Sequence, residues 1–375
     1  MYIYNFYANK IWQNAVRLAL YAAILVILLL SSGCTGSLME TENRSVKTEK
    51  FTAAVWNVQS LFDGEDTGYE YAEFRSGAGW TGEKYQARLL SAAQAIAGMD
   101  TEGPDFAGLV ELENAGILED LLQGPLSKKG YNHAFFGNAK GMSLGIGVIS
   151  RFPLTNTRVH SITMNGETVP RPILEVHVQP GGEPLIFLIC HWKSKVGGED
   201  QTEQLRQASA RIINRRLAEL TKENPGTPVI IMGDLNENHD EFYRRSGSLQ
   251  LALIPDDPRA AKEIFLTEKN MNSLILSREK PPRTQYFDSS FPVLYTPWEN
   301  ELDGGSYYYR ENWETIDHIL MTAKLFDEKG WDFDTCRVLN VPPFTNAKGL
   351  PNSYNPRNGL GLSDHLPLLL CLKRL

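Results

Sequence analysis

The chain has 375 residues, 42% of them hydrophobic and 10% aromatic, a composition that excludes a disordered or collagen-like polymer and allows one large domain or two ordinary ones. A formal net charge of −8 excludes long-range attraction of polyanions, so a phosphate-bearing substrate needs positive charge supplied inside the site. Four cysteines, Cys34, Cys190, Cys336 and Cys371, lack the Cys-x-x-Cys spacing of zinc or redox motifs and leave a single disulfide open.

In chain order, Lys10 and Arg17 precede the apolar run Leu18 to Leu30, and Ser31, Ser32 and Gly33 lead to Cys34. A run of this length suits a signal peptide better than a membrane span. Small residues before a cysteine resemble a bacterial lipobox, so residues 1–34 are expected to be a signal peptide whose cleavage exposes Cys34 for lipidation. An uncleaved signal anchor and plain secretion are the alternatives. The expected location is the cell envelope, on its periplasmic or extracellular face. Residues 35–50 are polar and aperiodic, as a flexible tether is. Without residues 1–33 the chain carries a net charge of −10. Residues 51–375 are expected to form one domain, a monomer.

Within that domain, short apolar runs bounded by turn residues predict strands at Thr52–Trp56, Phe106–Val110, Leu144–Ile149, Ile173–Val178, Leu185–Cys190, Val229–Met232, Ile316–Met321 and Leu366–Leu370. Helical spacing predicts helices over about Glu83–Ala97 and Glu203–Lys222. The stretch Pro255 to Gly305, rich in Pro, Asp, Ser and Gly, predicts long loops beside a helix near Ala260 to Leu274. Interleaved strands and helices without a repeat give a mixed α/β class.

Polar residues recur where these strands end. The first run ends at Asn57 and the second at Glu111; His191 and then Lys193 follow the run from Leu185. "GDLN" places Asp234 and Asn236 after Val229–Met232, "TIDHIL" carries Asp317 and His318, and "LSDHLPL" carries Asp364 and His365. Turn chemistry explains one or two such cases, not six. Carboxylates, amides and histidines without cysteines suit a hard cation such as Mg²⁺ or Mn²⁺. Histidines beside carboxylates also supply acid–base chemistry, and together these parts describe metal-assisted hydrolysis of a phosphoester.

With "WNVQSLFD", "DFAGLVELEN", "GIGVISRFP", "CHWKSK", "GDLNEN", "TIDHIL" and "LSDHLPL" in this order, the chain resembles the endonuclease/exonuclease/phosphatase (DNase I-like) superfamily from about Phe51 to Leu372. The resemblance implies a four-layer α/β sandwich, two packed mixed sheets flanked by helices with the site at one rim. It implies a metal site at Glu111, Asn57 and Asp364. It implies that Asp234 orients the attacking water, Asn236 binds the scissile phosphate, Asp317 holds a histidine or the metal, and His365 acts on water or phosphate. His191 is the implied general acid for the leaving oxygen.

Arg171 and Lys193 are expected phosphate contacts, while His318, inside its strand, reads as structural. Tyr307, Tyr308, Tyr309 and Trp313 read first as strand packing, with base stacking as the lesser reading. Where DNA-cutting relatives commonly carry a basic residue, two positions after Glu111, this chain has Glu113, which weakens tight duplex binding. The expectation is a Mg²⁺- or Mn²⁺-dependent phosphodiesterase, a nuclease acting on nucleic acid outside the cytoplasm. A phosphatase or phospholipid phosphoesterase acting on a phosphorylated small molecule or lipid, and a catalytically silent binding protein, are the alternatives.

Overall fold

The computed structural model describes residues 49–164, 167–248, 250–260, 272–281 and 292–375. Residues 1–48, including the expected leader, Cys34 and most of the tether, lie outside the described residues. No helix among the described residues is long and apolar enough to cross a membrane.

The strands are β1 (Lys50–Leu61), β2 (Phe106–Leu112), β3 (His133–Gly137), β4 (Gly145–Ser150), β5 (Thr155–Met164), β6 (Glu167–Val178), β7 (Leu185–His191) and β8 (Val229–Asp234). They continue with β9 (Leu253–Pro255), β10 (Leu274–Ser277), β11 (Val293–Tyr295), β12 (Tyr307–Tyr309), β13 (Asn312–Glu314), β14 (Asp317–Met321), β15 (Trp331–Val338) and β16 (Leu368–Arg374). One sheet has the order β15-β16-β1-β2-β4-β3, the other β5-β6-β7-β8-β14-β11-β10-β9, and β12 and β13 form a separate hairpin. Helices α1 (Gly82–Ala97), α2 (Ala115–Gln123) and α3 (Glu199–Glu223) are the longer ones.

Alternation along the central strands creates the layers. In β1, Ala53 and Val55 face the core between the two sheets, whereas Ala54 and Trp56 face the cluster that contains α1 and α2. In β7, Leu185, Phe187 and Ile189 enter the intersheet core, and Ile186, Leu188 and Cys190 pack with Ile213 and Leu217 of α3. Side chains point to opposite faces every second residue, so strands apolar at every position require cover on both sides. The result is helix, sheet, sheet, helix, the expected sandwich. Phe106 and Phe187 stack across the central layer at 4.2 Å.

Each of the eight expected strands forms. The two expected helices are slightly longer than their periodic segments, because Thr81 caps Lys84 N at the start of α1 and Glu199 and Asp200 occupy the first turn of α3, where acids suit the helix dipole. Strand β5, "TNTRVHSITM", lacked an apolar signal because it is a sheet edge. Among the described residues of stretch 255–305, strands form where loops were expected: β10 and β11, with β9 ending at Pro255, extend the second sheet in parallel register. The helix expected near Ala260 to Leu274 falls mainly outside the described residues, and Leu274 itself begins β10. Beneath α3, the buried carboxylate of Glu175 accepts from Arg216 at 2.7 and 2.9 Å and is paired with His160 and His177, so the charge buried there is matched. Cys190, Cys336 and Cys371 are buried free thiols.

Candidate active site

Strand register assembles the site. Asp234 ends β8, lies opposite His191 in the parallel pairing with β7 and opposite Asp317 in the antiparallel pairing with β14. Three residues from distant segments thus share one level at one end of the second sheet. In the first sheet Asn57 pairs with Val110, which brings it beside Glu111. Gly233 makes this close fit possible: its φ is +145°, and a Cβ there would meet the Cys190 carbonyl oxygen at 1.9 Å.

Asn57 joins the two sheets. Its Nδ2 donates to Glu111 Oε1 at 3.2 Å and to Asp234 Oδ2 at 3.1 Å. Glu111 Oε2 accepts from Ser60 N at 2.8 Å and Ser60 Oγ at 3.0 Å, where β1 bulges between Asn57 and Leu61. Glu111 and Asn236 both have left-handed backbones, with φ of 72° and 53°, an unfavourable conformation for non-glycine residues that clusters at functional sites. Asp234 has two roles: Oδ1 accepts from Asn236 N at 2.9 Å, the turn bond expected of such a sequence, while Oδ2 faces the site. Asn236 Nδ2 donates to the Trp192 carbonyl at 3.1 Å.

His365 Nδ1 donates to Asp317 Oδ2 at 2.8 Å, and its Nε2 lies 3.9 Å from Asp234 Oδ2. His191 Nε2 lies 3.5 Å from Glu111 Oε1 and 3.7 Å from Asp234 Oδ2. Burial opposes charge on His365, but Asp317, with Asp234 and Asp364, outweighs it and pushes the ring up to about 10. Burial, with Arg171, His365 and Lys193, holds His191 well below its usual value, so that ring is neutral. Burial also raises Asp234, to about 7, and raises Asp364 beside Glu111.

Burial is the main cause of both raised carboxyls, with Asp317 and Glu111 adding like charge, and a bound cation would favour the ionised forms of both. The donor set Glu111, Asn57 and Asp364, with Asp234, Asp317 and His365 whose ligand atoms lie within 4.8 Å of one another, therefore fits a hard divalent metal. Because His365 Nδ1 is engaged by Asp317, the oxygen-rich Glu111 side suits such an ion better.

Arg171, with φ of 81°, donates to the Trp192 carbonyl and is close enough to His191 and Asp234 to act on both electrostatically. The Lys193 ammonium is turned onto its own loop, donating to Ser194 O at 3.2 Å and Val196 O at 3.1 Å. His318 is structural, its fully buried Nε2 bonded to the Glu237 carbonyl at 2.9 Å. Glu113 accepts from Asp63 N at 2.8 Å. Ser60 and Ser306, both of which hold site carboxylates, carry no signal in the sequence, because isolated serines are common in turns.

The sequence profile of the endonuclease/exonuclease/phosphatase family matches residues 52–276. The chain belongs to this family. Its members are phosphoester hydrolases that generally depend on a divalent metal, and this protein is accordingly a phosphoester hydrolase. Truncated TDP2 from Caenorhabditis elegans is a structural neighbour, with 14% identity, coverage of 86% of this chain and 97% of that one, and a TM-score of 0.50. The Bacteroides thetaiotaomicron mannosyl-6-phosphatase Bt3783 follows with 16% identity, coverage of 86% and 99%, and a TM-score of 0.48. The human Nocturnin catalytic domain with bound sulfate has 16% identity, coverage of 87% and 95%, and a TM-score of 0.46. No curated protein sequence matches the chain.

Proposed function

We propose that the protein is a Mg²⁺-dependent phosphodiesterase that cleaves nucleic acid outside the cytoplasm, held at a membrane through lipidated Cys34. The observation that carries the phosphodiesterase reading is the convergence of Asp234, His191, Asp317–His365 and Asn57–Glu111 at one end of the two sheets. Mg²⁺ at Glu111, Asn57 and Asp364 supplies neutralisation of the phosphoryl charge when bound. Asp234 Oδ2 orients the attacking water and takes its proton. Asn236, with one amide hydrogen engaged by Trp192, uses the other for a phosphate oxygen, and Arg171 adds positive charge. Asp317 keeps a proton on His365 Nδ1, which leaves Nε2 to protonate the leaving oxygen. A neutral His191 is suited to donating a hydrogen bond, so the acid role expected for it passes better to His365.

Tyr309, half exposed and stacked on Tyr307, supports contact with bases. The net charge of −8 favours a second reading, hydrolysis of a small phosphorylated molecule or a lipid headgroup, which needs no extended basic surface. Incubating the purified protein with DNA, RNA, sphingomyelin and inositol phosphates separates these readings: nucleic acid is expected to be cut fastest with Mg²⁺ and not at all with chelator. Turnover confined to inositol phosphates or sphingomyelin would replace the nuclease reading with the second. For the anchor, Cys34→Ala is expected to abolish lipid labelling and leave unprocessed precursor; a variant matured to the normal size would indicate ordinary secretion.

A further inference from the structure

Beyond the residues that resemble family motifs, the β12–β13 hairpin grips both members of the Asp317–His365 pair. Ser306, fully buried, donates through Oγ to Asp317 Oδ2 at 2.6 Å, the same oxygen that accepts His365 Nδ1, and its Oγ accepts from Asp317 N at 3.3 Å. The Tyr307 ring stacks on the His365 imidazole with centroids 4.6 Å apart and planes 29° apart. Tyr307 and His365 also form a backbone bridge, and Leu366 N donates to Ser306 O at 2.7 Å. The hairpin itself is held by the pairing of Tyr307 with Glu314 and by Tyr308 against Trp313 at 5.3 Å.

An imidazole bonded through one nitrogen pivots about its Cβ–Cγ bond, because that torsion is broad. A ring laid on its face and a second donor on its carboxylate remove the freedom to pivot. We propose that Ser306 and Tyr307 are positioning residues that fix the orientation of the Asp317–His365 pair, Ser306 by locking the acceptor oxygen and Tyr307 by stacking on the ring. This rests on the catalytic reading of His365 given above. A misplacement of about 1 Å in a reacting group costs about 10²-fold in rate, so partial loosening is expected to cost about 10-fold.

The test uses the full chain with bis(p-nitrophenyl) phosphate, a chromogenic phosphodiester, in Mg²⁺, with rates normalised to folded protein by circular dichroism. Ser306→Ala and Tyr307→Leu are expected to lower kcat about 10-fold with KM within about twofold, the signature of a group acting in the transition state. Tyr307→Phe, which keeps the ring, is expected to rescue most of the loss seen with Leu. In a His365→Ala background neither substitution should lower activity further, because the coupled partner is gone. A metal-free readout is the downfield proton resonance of His365 Nδ1–H, which should broaden in Ser306→Ala and Tyr307→Leu. A rise in KM with kcat held, or an equal loss in the His365→Ala background, would mean that Tyr307 contacts substrate and would overturn the proposal. Unchanged kcat and resonance in Ser306→Ala would remove Ser306. Full activity of His365→Ala would instead overturn the catalytic reading of His365.

Discussion

Glu111→Gln is expected to abolish most metal-dependent turnover, by about 10²-fold or more, while the melting temperature stays close to that of the wild type. The amide keeps the size of the side chain, and its oxygen can still accept from Ser60 N and Oγ, the bonds made at 2.8 and 3.0 Å. Its NH2 gives up only the 3.2 Å bond from Asn57 Nδ2, which still donates to Asp234. What it removes is negative charge at the oxygen-rich side of the cluster, beside Asn57 and Asp364. Charge neutralisation by a divalent ion contributes several kcal/mol to a phosphoryl transition state, which sets the size of the expected loss. Titration of Mg²⁺ against initial rate, with calorimetry of Mg²⁺ binding alongside, checks it: the variant should bind the ion more weakly as well as turn over more slowly. Normal turnover at saturating Mg²⁺ would place the metal elsewhere, with the Asp234, Asp317 and His365 cluster as the next candidate.

Asp234→Asn is expected to lower kcat by about 10²–10³-fold, in the range contributed by a positioned acid or base, with little change in KM. The accompanying stability change has a sign set by protonation. Burial raises the Asp234 carboxyl from 3.8 to about 7, so the native state binds this proton more tightly than the unfolded chain. That contribution to stability is fully present below pH 3.8 and is lost as pH rises through about 7. Above pH 7 the wild type holds a desolvated carboxylate that the variant lacks. The melting temperature of Asp234→Asn at pH 8 is therefore expected to hold or rise relative to the wild type, and the difference to shrink towards pH 4. Steady-state kinetics beside melting curves at the two pH values decide the matter. A destabilised variant with full turnover per folded molecule would reduce Asp234 to the turn role that its bond to Asn236 N already performs.

The site was largely legible because each of its strands announces itself locally. A run such as Val229 to Met232 must be buried on both faces, and a polar residue placed directly after it must lie at the rim of a sheet. Six such rims in one chain imply a shared polar centre before any fold is known. Ser306, Tyr307 and Ser60 were not legible in this way. A serine or tyrosine in a loop acquires its role only from the partner the fold brings to it, and Asp317 lies 11 residues from Ser306 while Glu111 lies 51 from Ser60.

By itself the sequence determined the α/β class, the burial of the central strands on both faces, the oxygen- and imidazole-rich chemistry of their ends, and the resemblance to phosphoester hydrolases. Those follow from periodicity and residue type, which are local properties of the chain. Only the tertiary structure decided that His191, Asp234 and Asp317 stand level across three strands, that Asn57 spans the two sheets to Asp234, and that the surroundings push one histidine down and the other up. The last of these depends on which charges surround a buried ring: His365 faces Asp317, Asp234 and Asp364, whereas His191 lies near Arg171 and Lys193. Electrostatic energy depends on distance through space, and strand register and sheet packing set those distances.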